Sequence, residues 1–195
     1  MYHNGIVLVN IKENVLSIMK KIALISALLV FFFTNMAFSQ AWTPTSYDVS
    51  FKIKNAGLTV TGRFTGLKST LVFSPDKPES GSLKASVEVA TIKTGIDQRD
   101  KDLQGEKYFN TDKYKLIEIT STKLYKKGTQ YAGMFNVTIK GTTKQIEIPF
   151  EFKETGGTGI FTGSFPVSRK DFGVGGKTLT MSDGLTVNIM LKVKK

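Results

Sequence analysis

Apolar and polar residues alternate along most of the chain beyond Ser46. A period of two is typical of β-strands that bury one face, and one-face burial is typical of antiparallel sheets. Gly, Asn, Asp and Pro residues separate the alternating segments and predict turns between them. The pattern therefore predicts about eight or nine antiparallel strands in one all-β domain. The clearest alternating segments are residues 49–54, 83–89, 131–140, 145–152 and 185–194.

One segment, residues 94–110 (TGIDQRDKDLQGEKYFN), lacks this alternation and is strongly polar. Asp97 is placed to begin a helix as its N-cap, with Asp100 in the first turn, where a carboxylate is favourable. Leu103 is spaced to pack inward, and Tyr108-Phe109 is placed to cover an opening. We expect a short helix and loop that plug one end of the sheet.

A sheet of about eight antiparallel strands with one apolar face either forms a sandwich or closes into a barrel. Closure removes the exposed strand edges that promote aggregation, and it is the fold that we predict. At this strand number the interior holds packed side chains or one slender ligand. Pro149 falls within a predicted strand, which indicates an edge, a bulge or an outward-facing nitrogen.

The first forty residues differ from the rest of the chain. Lys20 and Lys21 precede an apolar run over residues 22–33, and the small-residue pattern Ala37-Phe38-Ser39 follows. This order is that of a secretory signal peptide, and the run is too short for a comfortable membrane span. We therefore expect residues 1–39 to be a signal peptide, with residues 1–18 as an upstream extension, and residues 40–195 to form a periplasmic or secreted domain.

The expected mature chain has little catalytic chemistry available. The chain has no Cys, and its single His is His3, so residues 40–195 contain neither residue. Triads based on His and zinc sites of the usual Cys/His type are excluded there. Removing residues 1–39 removes three of the 27 basic and one of the 16 acidic residues, which leaves a formal charge of +9. An exported basic protein is expected to meet anionic lipid rather than nucleic acid.

Four segments, taken in order, resemble the YceI-like family of exported, lipocalin-like proteins that bind polyisoprenoid lipids. Each segment alone is a weak signal, whereas their ordered combination is specific and spans nearly all of residues 43–195. Two positions depart from the family pattern: Asn55 stands where His is common, and Lys115 stands where Pro is common. The matching segments are SYDVSFKIKNAGLTVTGRFTG (46–66), TGIDQRDKDLQGEKYFNTDKY (94–114), NVTIKGTTKQIEIPFEF (136–152) and SRKDFGVGG (168–176).

This resemblance implies a lipocalin-like barrel with an elongated apolar cavity for an isoprenoid chain, such as a polyprenyl phosphate or a quinone. The protein would sequester or carry this lipid without bond chemistry and without a cofactor other than the lipid, and a homodimer is compatible with this role. Arg99 and Arg169 are the candidate rim residues for a lipid head group. The predicted cavity residues are Phe51, Ile53, Phe135, Val137, Phe150, Phe152, Leu185, Val187 and Ile189.

The sequence is compatible with several alternatives. Carboxylates between Asp97 and Glu106 could serve acid–base catalysis in a hydrolase, or they could cap a helix and pair on the surface, with Arg99 beside Asp100. Arg169 could hold a phosphate or could fasten a turn through Asp171 or backbone carbonyls. An integral outer-membrane barrel and a ligand-free β interaction module also fit the alternation.

Overall fold

The computed structural model describes residue 19 and residues 40–195. The predicted signal peptide over residues 1–39 thus lies outside the described residues, apart from Met19. Among the described residues, no helix is both long enough and apolar enough to span a bilayer.

Residues 40–195 form nine β-strands and one α-helix, α1 (Asp97–Gln104). Three short 3-10 turns accompany them, at Pro78–Ser80, Val89–Thr91 and Arg169–Phe172. All strand pairs are antiparallel, which confirms the prediction from the period of two. The strands are β1 (Ala41–Asn55), β2 (Leu58–Phe64), β3 (Lys68–Val72), β4 (Ser82–Glu88), β5 (Leu116–Lys127), β6 (Gln130–Ile139), β7 (Thr142–Thr155), β8 (Thr158–Ser168) and β9 (Met181–Lys194).

Pairing between β1 and β9 closes the sheet into a barrel. The two strands pair from Thr43 with Lys194 to Asn55 with Met181. On its other side β1 pairs with β3 at its first two residues and with β2 over residues 49–55. The order β1-β3-β4-β5-β6-β7-β8-β9 then returns to β1, and β2 is added beside the second half of β1. The closed ring of eight strands confirms the predicted lipocalin-like barrel.

The ladder between β7 and β8 covers only part of each strand. It runs from Thr155 with Thr158 to Phe150 with Gly163, and it stops one residue short of Pro149. Pro149 pairs with β6 alone, as expected for a residue that has no N–H to donate. Beyond this point, the 3-10 turn that follows β8 packs against β7, and its Phe172 is buried.

The helix α1 lies in the long connection between β4 and β5, where the sequence predicts a helix and loop. The prediction of Asp97 as N-cap is wrong, because the cap position is Ile96, which provides no side-chain hydrogen bond. Asp100 instead accepts hydrogen bonds from the backbone N–H (2.8 Å) and the hydroxyl of Thr94. Leu103 packs inward against the buried cluster that includes Val89, as predicted.

The two ends of the barrel are filled differently. At the end where β1 begins, the ring of Phe73 lies 5.1–5.5 Å, between centroids, from four other aromatic rings. The indole N–H of Trp42 donates to the Phe73 carbonyl oxygen (2.9 Å) and satisfies the only polar group of its side chain. We call this the aromatic end and the opposite one, where β1 turns into β2, the hairpin end. The rings around Phe73 belong to Tyr131, Phe150, Phe152 and Phe161.

We predict that Phe73→Ala lowers the free energy of unfolding by about 3–5 kcal/mol, because it leaves a void among four aromatic rings. Urea unfolding followed by Trp42 fluorescence measures the change. Leu179→Ala, at a fully exposed side chain, is the control and should change stability by less than about 0.5 kcal/mol. Equal values for the two variants would show that Phe73 is not central to the core.

Candidate ligand-binding cavity

An internal cavity of about 150 Å³ lies in the barrel toward the hairpin end. Inward-facing side chains of seven strands form most of its wall, because alternation places every second residue on this face. Three segments outside the strands complete it. The lining residues are Val49, Ser50, Phe51, Phe64, Leu67, Ala85, Ser86, Val87, Phe109, Ile117, Ile119, Val137, Ile139, Phe165, Val167, Arg169, Phe172, Val174, Leu185, Val187, Ile189 and Leu191.

A smaller pocket of about 80 Å³ extends from this cavity toward the aromatic end. It includes Phe150 and Phe161, which belong to the aromatic cluster around Phe73. The two spaces therefore lie in series along the barrel, and the aromatic rings limit the depth of the second. The residues that line both spaces are Ala85, Ile119, Phe165, Ile189 and Leu191.

The cavity wall is almost entirely apolar. Only Ser50, Ser86 and Arg169 among its 22 lining residues are polar. Cavities of about 150 Å³ lined by Leu, Ile and Phe stay dry and bind small apolar molecules, because water inside them lacks hydrogen-bond partners. This cavity is thus suited to an apolar molecule, or to part of a longer apolar chain.

The predicted cavity residues fall into three groups. Five of the nine line the main cavity, two line the smaller pocket but not the main cavity, and two line neither space. Ile53 and Phe152 line neither space. Phe152 packs instead against Trp42 and Phe161 in the aromatic cluster. Their roles in ligand binding remain predictions. Phe51, Val137, Leu185, Val187 and Ile189 line the main cavity, and Phe135 and Phe150 line the smaller pocket.

Other lining residues lie outside the strands, where alternation gives no signal. Phe109, which the sequence places to cover an opening, lines the main cavity. Phe172 and Val174 both line it from the segment that follows β8. Gly173 lies between them with a φ of 64°, in the left-handed region that favours glycine, and it ends the 3-10 turn there. The glycine-rich sequence signals this turn but does not identify its apolar neighbours.

Arg169 reaches the cavity wall, but its guanidinium group is engaged by the protein. Its Nε–H donates to the Ser182 carbonyl oxygen (2.9 Å), and its Nη1 donates to the carbonyls of Val174 (2.9 Å) and Gly176 (2.7 Å). Its Nη2 contacts three further acceptors, including the Asp183 carboxylate (3.0 Å). The side chain is 2 % exposed. These contacts fit the turn-fastening interpretation, with Asp183 in place of Asp171, and leave no N–H for a phosphate.

Arg99 likewise binds its own segment. It donates from Nε to the Thr94 hydroxyl (2.7 Å) and from Nη2 to the Thr94 carbonyl oxygen (2.6 Å), and it does not line the cavity. The expected pair with Asp100 is absent from the described ion pairs, in which Asp100 faces Lys93 (3.7 Å). The hydroxyl of Thr94 and burial act in opposite directions on Asp100, and the hydrogen bond prevails, so the pKa of this carboxyl lies below its ordinary value.

The carboxylates between Asp97 and Glu106 do not converge on the cavity. The Asp97 side chain is 92 % exposed, and Asp102 accepts a hydrogen bond from the Gln98 amide (2.9 Å) on the helix surface. Asp100, with its lowered pKa, is poorly suited to donate a proton as a general acid. No group of three or more His, Cys, Asp or Glu side chains in the described part of the chain is placed to hold a metal ion.

Asn55, at the departure from the family pattern, lies at the end of β1 and does not line the cavity. Its side-chain oxygen is buried and has no hydrogen-bond partner within the described residues. Lys115 directly precedes β5, and its carbonyl oxygen accepts a hydrogen bond from Val89 N–H (2.9 Å). The replacement of the family's common Pro by Lys115 therefore concerns the entry to β5 and not the cavity wall.

A closed antiparallel barrel that encloses an apolar cavity has the architecture of the lipocalin-like class of proteins. Residues 41–193 match the family described as the YceI-like domain, so this chain belongs to the YceI-like family. The family resemblance drawn from the four sequence segments is thereby confirmed.

The chain is similar to several UPF0312 proteins. It is 29% identical to one from Photorhabdus laumondii over 109 residues, which cover 55% of this chain and 57% of that protein. It is also 29% identical to one from Shewanella oneidensis over 139 residues, which cover 65% of this chain and 71% of that protein. The chain thus matches little more than half the length of the first of these relatives.

Solved structures share the fold at low sequence identity. The crystal structure of BcnA from Burkholderia cenocepacia has a TM-score of 0.72 and 24% identity, and the match covers 75% of this chain and 95% of BcnA. A polyisoprenoid binding domain from Saccharophagus degradans has a TM-score of 0.61 and 13% identity, with 80% of this chain and 98% of that domain covered. These similarities show the barrel fold.

The role of Arg169 in fastening the turn predicts that Arg169→Lys lowers the free energy of unfolding by at least about 2 kcal/mol, since Lys lacks the planar fork and leaves buried carbonyls unpaired. Lys170→Met is the neighbouring control. It removes the exposed ion pair with Asp183 and should cost less than about 1 kcal/mol. Chemical denaturation compares the two, and similar losses would refute this role for Arg169.

The lowered pKa of Asp100 predicts a pH-dependent contribution to stability. Above the ordinary value of 3.8 the carboxylate is ionised in both states and stabilises the fold; as pH falls through the lower folded-state pKa, this contribution is lost. The stability difference between wild type and Asp100→Asn should therefore be largest near neutral pH and shrink in acid. Asp97→Asn, at an exposed carboxylate of the same helix, is the control, and a difference for Asp100→Asn that is constant with pH would contradict the expectation.

Proposed function

We propose that this protein is an exported binding protein that holds the apolar chain of an isoprenoid-type lipid, such as a polyprenyl phosphate or a quinone, in the cavity of its barrel. The observation that carries the proposal is the internal cavity of about 150 Å³ with its almost entirely apolar wall, since cavities of this size and lining exclude water. The protein sequesters or carries this lipid and performs no bond chemistry on it.

The chemistry of the wall supports an apolar chain as ligand. Aliphatic and aromatic side chains surround the cavity, and the smaller pocket continues it along the barrel. A long flexible chain fits two spaces in series better than a compact ring system does. The structural similarity to a domain named for polyisoprenoid binding supports the same class of ligand.

Burial of the chain supplies enough free energy for useful affinity. Each buried methylene contributes about 0.8 kcal/mol, so roughly ten of them contribute about 8 kcal/mol before entropy losses, which is in the range of micromolar binding. The main cavity alone accommodates only part of such a chain. The remainder would occupy the smaller pocket or extend from the hairpin end.

The head group contributes little to this binding. Arg169 is the only charged residue in the cavity wall, and its N–H groups already bind the protein. We therefore propose that the tail determines affinity and that the head group stays at the hairpin end of the barrel, without a dedicated phosphate contact. This replaces the expectation that Arg99 or Arg169 selects a phosphate.

Export is supported by the sequence of residues 20–39, with its two lysines, apolar run and small-residue site. A protein released in this way would act in the periplasm or outside the cell. Mass analysis of the N-terminus of the released protein tests this part of the proposal. A start near residue 40 supports it, and retention of residues 1–39 opposes it.

Filling the cavity should block uptake of the lipid chain. Val187 lines the cavity, whereas its neighbour Thr186 is exposed on the same strand. Val187→Phe should weaken binding of geranylgeraniol at least about tenfold, because the added ring occupies the space of the chain. Native mass spectrometry of the protein incubated with this alcohol measures the bound fraction.

Thr186→Phe is the matched control, since it adds a similar ring on the outer face. It should bind geranylgeraniol as the wild type does. If Val187→Phe folds normally and keeps full affinity, or if both variants lose it equally, the cavity is not the binding site.

A further inference from the structure

We propose that the hairpin end of the barrel docks onto the surface of an anionic lipid bilayer through two exposed leucines, Leu58 and Leu179, and the lysines around them. This interaction surface goes beyond the binding of a lipid chain in the cavity. Its test can fail while the cavity proposal stands, because vesicle binding and cavity filling are measured separately.

The fold brings the two leucines onto adjoining turns. Leu58 begins β2 directly after the β1–β2 turn, and Leu179 lies in the segment that precedes β9. The Ala56 N–H donates to the Thr180 carbonyl oxygen (2.8 Å), and Asn55 pairs with Met181. Two segments far apart in sequence thus present their apolar side chains at the same end of the barrel.

These side chains contribute little to the core. Leu58 is 73% exposed and Leu179 is 107% exposed, more than any other large apolar residue between residues 40 and 195. The next in rank, Ile96, is 54% exposed. Exposed leucines beside basic residues are typical of surfaces that insert into the interface of a membrane.

The charges around the two leucines at the hairpin end favour an anionic partner. Lys52 and Lys54 lie on exposed positions of β1, and Lys177 lies two residues before Leu179. None of the three has a carboxylate partner among the ion pairs of the described residues. Of the carboxylates at this end of the barrel, Asp183 is paired with Arg169 and Lys170, and Asp97 and Asp100 face Lys93. Unpaired lysines next to apolar side chains match an anionic bilayer surface.

The hairpin end, which carries the two leucines, is also the end of the barrel that lies nearer the cavity. Ile53 pairs with Leu185, which lines the cavity, and the segment that carries Leu179 is fastened by Arg169 in the cavity wall. The opposite end is filled by the aromatic cluster around Phe73. A bilayer at the hairpin end would therefore meet the barrel at the end nearest the cavity, where an apolar chain has the shortest path between membrane and protein.

Co-sedimentation of residues 40–195 with lipid vesicles tests the proposal. Vesicles of phosphatidylcholine with roughly a quarter phosphatidylglycerol should bind the protein, and pure phosphatidylcholine vesicles should bind it at least about tenfold more weakly. The double variant Leu58→Gln, Leu179→Gln should lower affinity for the anionic vesicles about tenfold or more. The control double variant Ile160→Gln, Met190→Gln, at exposed apolar residues of β8 and β9, should not.

A second pair of variants tests the lysines. Lys54→Gln, Lys177→Gln should weaken binding to the anionic vesicles, whereas Lys126→Gln, Lys194→Gln makes the same charge change toward the aromatic end and should weaken it less. Equal losses for the two pairs would show a general charge effect and overturn the proposal, as would wild-type protein that fails to bind the anionic vesicles. Uptake of geranylgeraniol from solution should be unchanged in the leucine variant, which separates loss of docking from loss of the cavity.

Discussion

Backbone hydrogen bonds between β1 and β9 join the first and last strands of the domain, and the barrel exists because of them. Without this ladder β9 would be a long exposed edge strand, and edges of that kind promote aggregation. Because the two strands are far apart in sequence, their pairing must offset the entropy of closing a loop of nearly the whole domain. The domain has no disulfide to share that cost, so burial of the inward faces and the ladders themselves stabilise the closed form.

Closure creates an interior, and the distribution of large side chains decides how it is filled. At the aromatic end, rings around Phe73 interlock in edge-to-face contacts and leave only a small pocket beside them. Toward the hairpin end the ladder between β7 and β8 stops, and the segment fastened by Arg169 completes the wall. The barrel is thus filled at the aromatic end and hollow toward the hairpin end. This asymmetry is the basis for both the bound chain and the bilayer contact that we propose.

The period of two predicts the strands and their apolar faces, because alternation reports directly which side of a strand avoids water. Closure into a barrel follows instead from the need to remove exposed strand edges and from the family resemblance. Alternation does not distinguish inward residues that fill the barrel, such as Phe152, from those that line space, such as Val187. That distinction depends on which side chains meet across the interior, and pairing between distant strands sets it. The same limit applies to the partners of Arg169 and Asp97. The sequence singles out both side chains, but loop geometry, which a local pattern does not encode, sets what they contact.

Native mass spectrometry of the protein purified without detergent from the organism that makes it, followed by organic extraction, shows whether the cavity holds an apolar ligand. We predict a noncovalent adduct of one isoprenoid-type molecule per chain, released by solvent. Recovery of the bare polypeptide mass alone, with no extractable lipid, would contradict it.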